Sequence, residues 1–153
     1  MQLSRFPAIL LIEMTERIFE TLEHTADKGI AAYGKTMAEA FETAAFGMFS
    51  LFVDPGAYQA ESHQELAVKA DDKEQLLWTW LSELQFKFEV EHVLPVEFKI
   101  TEINDTSLTA DVSVRPVRDD IEWLGSPVKA ITFHQLIVEE TDKGWHIQVY
   151  VDV

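Results

Sequence analysis

The spacing of hydrophobic and polar positions changes period several times along this chain, and each change marks an element. Residues 17–23 read as a short strand, followed by the polar turn His24-Thr25-Ala26-Asp27-Lys28-Gly29. Ile30, Ala32 and Gly34 then alternate with Ala31, Tyr33 and Lys35, which is the period of two of a half-buried strand. From Thr36 the period becomes helical, with Met37, Phe41, Ala44, Ala45, Met48 and Phe52 recurring on one face. Thr36 and Glu39 have capping-box spacing, and Asp54-Pro55-Gly56 stops the helix. Residues 64–70 read as a strand. Asp71 and Glu74 repeat the capping pattern ahead of a second helix striped by Leu77, Trp80, Leu81, Leu84 and Phe88. An aromatic-rich stripe at that spacing is read as core packing rather than a ligand box.

After Pro95 the period returns to two. Val96, Phe98 and Ile100 run out, Asn104-Asp105 turns the chain, and Leu108, Ala110, Val112 and Val114 run back as a hairpin. Residues 115–127 read as a polar loop, and 128–133 and 135–140 as two more strands. Asp142-Lys143-Gly144 is a tight turn into Trp145, Ile147, Val149 and Val151, which alternate with polar partners. Two helices among several hairpin strands predict an α+β fold: a single compact domain, with both helices packed on one face of a largely antiparallel sheet. The domain is expected over residues 17–153. Residues 1–16 read as an N-terminal extension, with Met14 a candidate natural start. The apolar run at 7–12 is far shorter than the roughly 20 residues of a spanning helix, and it lacks a small-residue cleavage site. A cytoplasmic protein is expected.

Charge narrows the partners. The chain carries 27 acidic and 12 basic residues, a formal charge of −15. Such a surface repels phosphate backbones, which argues against tight direct binding of nucleic acid. It favours cations and basic protein surfaces. With no cysteine there is neither a disulfide framework nor a thiolate metal site. Walker A, GxGxxG, GxSxG and HExxH patterns are absent from the sequence.

The remaining chemistry lies in a few polar residues. Alternation in the last strand points Asp152 away from the core face, and Val153 carries an α-carboxylate beside it. Paired carboxylates suit a hard divalent cation, although a solvated strand end is the simpler reading of two residues alone. Asp27 offers a third carboxylate or a turn cap, and nothing in the spacing brings it to Asp152. His24 is a general base, a metal ligand or a hydrogen-bonding turn residue. Lys129, read as mid-strand among apolar neighbours, is an edge-strand gatekeeper, a partner for an acidic site or a phosphate contact. His63, His92, His134 and His146 have no ligand spacing.

Several stretches together resemble the archease family. They are Glu23-His24-Thr25-Ala26-Asp27-x-Gly29, Ala32-Tyr33-Gly34-Lys35-Thr36 followed by Glu39-Ala40-Phe41, the helix around 76–88, Val128-Lys129-Ala130-Ile131-Thr132, and the ending Val151-Asp152-Val153. The resemblance runs from about Ile18 to the last residue. It implies a non-catalytic protein cofactor of an RtcB-type tRNA-splicing RNA ligase, promoting guanylylation of the ligase and its multiple turnover. It implies a cation site at Asp27, Asp152 and the Val153 carboxylate, described with Ca2+ and open to Mn2+ or Mg2+. Lys129 and His24 would serve partner activation. Two departures stand out: Lys28 replaces a usual aliphatic residue, and Ser126-Pro127 precede the VKAIT stretch where an acidic residue is common. The competing expectations are a general chaperone or interaction adaptor, and a small metal-dependent phosphohydrolase using His24 and Asp27.

Overall fold

In a computed structural model the described residues are 18–24 and 27–153, with Glu23 and His24 described through the backbone. The expected extension over residues 1–16 therefore lies outside the described residues. The elements run β1 (Ile18–His24), β2 (Asp27–Gly34), α1 (Met37–Ser50), a 3-10 turn (Pro55–Ala57), β3 (Ser62–Lys69), α2 (Lys73–Glu91), β4 (Val93–Ile103), β5 (Ser107–Pro116), β6 (Ala130–Ile131), β7 (Ile137–Thr141) and β8 (Gly144–Asp152).

The strands form two antiparallel sheets, where the sequence suggests one. The first has the order β1-β2-β8, with β6 and β7 pairing successive stretches of β8; the second has the order β3-β5-β4. Helix α1 packs on β2, β8 and β4, and α2 packs on β3, β4, β6 and β7, so the helices tie the two sheets together. The α+β class stands, and the correction concerns the number of sheets. Alternation tells which face of a strand is buried but not which strand lies beside it.

The core follows the expected stripes. Met37, Phe41, Ala44, Ala45, Met48 and Phe52 of the first stripe are all buried, as are Leu77, Trp80, Leu81 and Leu84 of the second. Phe49 stacks on Phe98 at 5.9 Å, and the fully buried Trp80 donates its indole N–H to the Phe41 carbonyl at 3.0 Å. That bond removes the cost of burying an indole nitrogen. In β8, Ile147, Val149 and Val151 are fully buried opposite Ala32, Ile30 and Lys28 of β2.

Local chemistry sets the boundaries. The Thr36 hydroxyl accepts from Glu39 N at 3.1 Å, and the Glu39 carboxylate accepts from Lys35 N at 2.9 Å, closing the start of α1. A Cβ at Gly34 would collide with the Ala40 backbone, so the tight passage from β2 into α1 requires glycine there. For α2 the cap is one residue later than expected: Asp72 accepts from Gln75 N, and Gln75 accepts from Asp71 N, both at 2.8 Å. The His24–Gly29 turn is also shorter than expected, because His24 closes β1 and Asp27 opens β2.

Candidate cation and partner-contact site

Strands β2 and β8 pair in unbroken register from Gly34 opposite Trp145 to Lys28 opposite Val151. One residue further out, Asp27 and Asp152 leave the ladder side by side. Alternation turns them away from the face that buries Val149 and Val151. Directly opposed residues in an antiparallel pair have Cα atoms about 4.5–5.5 Å apart, close enough for two carboxylates to share one cation. Asp27 is half-buried and Asp152 exposed. Backbone pairing sets His24 opposite Asp27 and Ala130 opposite Asp152. Strand order thus gathers at one sheet end residues that are more than a hundred positions apart.

The end of β8 is anchored. The Val153 side chain packs against the core. The Lys129 N–H donates to the Asp152 carbonyl at 2.7 Å. Thr132 donates both its N–H and its hydroxyl to the Tyr150 carbonyl at 3.0 Å. From the other side, Trp78 donates its indole N–H to the Ile131 carbonyl at 2.8 Å, and Gln85 donates to the Val128 carbonyl at 3.2 Å. The stretch 128–132 is therefore clamped between β8 and α2, with the Lys129 side chain exposed.

This corrects the mid-strand reading of Lys129. It precedes a strand of only two residues, Ala130–Ile131. The register sets Lys129 opposite Val153, the last residue of the sequence, so Pro127 has no partner in β8, and ahead the chain turns at His134–Gln135, where Gln135 adopts a φ of 50°. The expected strand over 135–140 becomes Ile137–Thr141. Lys28 is exposed, and alternation places it on the opposite sheet face from Asp27, which reduces its opposition to a cation.

Sequence reasoning missed Tyr150. Its ring lies over Gly29, where a Cβ would stand 2.7 Å from two ring carbons, and it is only 7% exposed. Tyr150 and Gly29 pair one pleat inside Asp152 and Asp27, so the ring floors the ground next to both carboxylates. A glycine in one strand beside a large aromatic in its neighbour is the signal, and it shows only once the pairing of β2 with β8 is known.

The donors fit a hard cation in kind. The side-chain carboxylates of Asp27 and Asp152 are oxygen donors of that kind. Among the described residues no three His, Cys, Asp or Glu side chains are grouped to hold a metal. The other histidines are structurally engaged. His63 lies 3.1 Å from Ser113 Oγ, and His146 lies 2.8 Å from Glu139 while stacking on Tyr33 at 5.2 Å. His92 caps α2 in a left-handed conformation, and the His134 ring meets Tyr150 at 5.9 Å.

Two helices tying together two antiparallel sheets, with carboxylates gathered at one sheet end, define a small α+β domain of non-Rossmann type. The Archease protein family matches residues 19–153, and the chain belongs to that family. It is 38% identical over 139 residues to protein archease of Methanosarcina acetivorans, covering 88% of this chain and 95% of that protein. It is 35% identical to protein archease of Saccharolobus solfataricus, covering 90% and 99%. The solution structure of Methanobacterium thermoautotrophicum protein 1598 has a TM-score of 0.73 at 30% identity, covering 88% of this chain and 98% of that one. A crystal structure from Thermotoga maritima, described as an archease and possible chaperone, has a TM-score of 0.59 at 19% identity and covers 88% and 96%. At that identity it supports the fold alone. Among the described residues no helix is long and apolar enough to cross a membrane.

Proposed function

We propose that this protein is a non-catalytic cofactor of an RtcB-type RNA ligase, promoting the guanylylation and multiple turnover of that enzyme. The observation that carries the reading is the convergence of Asp27, Asp152, Val153 and Lys129 at one anchored sheet end, on a chain of net charge −15. The carboxylates of Asp27, Asp152 and Val153 hold a divalent cation: Ca2+, Mn2+ or Mg2+. A cation held there supplies positive charge to phosphate oxygens of a nucleotide. Lys129, whose N–H holds the Asp152 carbonyl and whose side chain is exposed, contacts phosphates or an acidic group of the partner. His24 borders the site through its pairing with Asp27. The acidic body approaches a basic surface of the ligase and is steered there by long-range attraction. The covalent chemistry stays in the ligase.

The test is RNA ligation with limiting cognate ligase, GTP and manganese. The wild-type protein is expected to raise yield from less than one to many products per ligase. Asp27→Ala, Asp152→Ala and Lys129→Ala are each expected to lower that stimulation by about tenfold or more, in the range seen when metal-site groups are lost. The melting temperatures of the Asp152 and Lys129 variants should stay close to wild type, because both side chains are exposed. Full stimulation by both aspartate variants would refute the role given to the carboxylates. A general chaperone is the second reading, favoured by the exposed Phe86, Trp123, Leu124 and Phe133. It predicts suppressed aggregation of unrelated proteins that is insensitive to Asp152→Ala.

A further inference from the structure

Five large hydrophobic side chains are exposed among the described residues: Phe86, Val90, Trp123, Leu124 and Phe133. Single exposed apolar residues are ordinary. Trp123 and Leu124 are different, because they are adjacent and sit on a long segment between β5 and β6 that has no secondary structure of its own. A free loop of that length could turn them inward. This one is braced outward from several sides.

Arg115, 5% exposed, grips Asp120 through two bonds of 2.9 and 2.7 Å. Arg118 grips Glu61 through two bonds of 2.6 and 2.8 Å. The Glu122 N–H donates to the Tyr58 hydroxyl at 2.8 Å, and the Leu124 N–H donates to the Phe52 carbonyl at 2.9 Å. Gly125 lies so close to α1 that a Cβ would stand 2.8 Å from the Leu51 carbonyl oxygen. The Trp123 ring stacks on Phe52 at 6.3 Å and meets Phe88 edge-on at 5.9 Å, yet it remains 44% exposed, and Leu124 is 58% exposed. An aromatic and an aliphatic group held ready in this way lose little conformational entropy on binding, which is what an interface anchor needs.

We propose that Trp123 and Leu124 are the anchor by which this protein docks on a basic, nucleic-acid-binding protein surface that offers an apolar cleft. This rests on the ligase reading and supplies its docking step. Charge selects the occupant. Arg115 at the end of β5 and Arg118 in the loop are already paired with carboxylates, while Asp119 and Glu122 flank the anchor as exposed acids. On a chain of net charge −15, that rim repels a second copy, nucleic acid and anionic lipid alike. Position agrees. Helix α1 runs back along β2, with Gly47 against Ile30, so Leu51 and Phe52 reach the Asp27 end of the sheet. The loop then leads from Leu124 into Lys129, whose N–H holds Asp152. The anchor thus lies toward the sheet end that carries Asp27 and Asp152, on the helix side of the sheet, while the two carboxylates point from its other face.

The experiment measures equilibrium binding of the full-length protein to the cognate RtcB-type ligase, alongside ligation stimulation. Leu124→Glu is the main variant, because its exposed side chain can change without disturbing the Phe52 bond, and an unchanged thermal melt checks this. Trp123→Ala is the second. Both are expected to weaken binding by about tenfold or more. If Leu124→Glu and Trp123→Ala bind like wild type while stimulation is intact, the anchor is wrong and the ligase reading survives. If the wild-type protein neither binds nor stimulates the ligase, the ligase reading fails and the anchor assignment goes with it. Self-association of the wild type that Leu124→Glu abolishes would overturn the proposal in favour of a copy-to-copy interface.

Discussion

A Cβ on Gly29 would stand 2.7 Å from the Tyr150 ring and 3.2 Å from Leu22 Cβ, so the side chains bordering the site are packed against missing atoms. Gly29→Ala forces the Tyr150 ring to move, and overpacking of this kind costs about 1–3 kcal/mol. Chemical denaturation should register that loss, and, on the proposed cation site, a calcium titration should show weaker binding than for the wild type, since Asp27 and Asp152 are the outward neighbours of the displaced pair. Gly56→Ala is the control. There a Cβ meets only Asp54 Oδ1 at 3.4 Å and Phe46 Cζ at 3.8 Å, and stability should change by less than about 0.5 kcal/mol. At this scale the sequence was half legible. Alternation in β8 correctly turned Asp152 outward and buried Val149 and Val151. The partnership of Asp27 with Asp152 depended on which strands are neighbours, and periodicity carries no such information. The family resemblance, not the spacing, suggested it.

The loop between β5 and β6 is held by side chains rather than by a ladder. Its two arginine–carboxylate pairs are half-exposed on the acidic side, so they orient the chain more than they stabilise the fold. The hydrogen bonds from Arg118 hold the Glu61 carboxyl below its ordinary value of 4.5, and those from Arg115 hold the Asp120 carboxyl below its ordinary value of 3.8. Depressed folded-state values mean that the pairing contribution is complete above the ordinary values and is lost as pH falls through the lowered ones. The Trp123 indole resonance in an NMR titration should therefore hold steady near neutrality and shift only below about pH 4, the ordinary carboxylate range. In Arg118→Gln it should be displaced already at neutral pH. An unchanged Trp123 resonance in that variant would show that the clasp does not position the anchor. Element boundaries were legible where one signal dominated, as at Thr36–Glu39. They slipped where two overlapped: Asp71–Glu74 and Asp72–Gln75 are both plausible caps, and Gln75, bonding back to Asp71 N, selects the second. Lys129 was misplaced in a strand because its apolar neighbours mimic alternation, while the register with β8 and the turn at the left-handed Gln135 leave a paired stretch of two residues.

Across the whole molecule, both helices straddle two sheets, and strand pairing brings Asp27, Asp152 and the Lys129 backbone to one end of the first sheet. The hairpins and both helices were readable from period alone, because each strand buries one face and each helix one stripe. The division of the strands into two sheets was not, since the same alternation serves either arrangement. The excess of acid over base was legible at once, and it orients the account toward a basic partner and away from direct binding of RNA. The most direct test follows ligase–guanylate formation from labelled GTP in a single turnover, with the ligase alone, with this protein, and with its Asp27→Ala/Asp152→Ala variant. The account predicts clearly faster guanylylation with the wild-type protein and no acceleration by the folded double variant. Equal rates with and without the wild-type protein would contradict it.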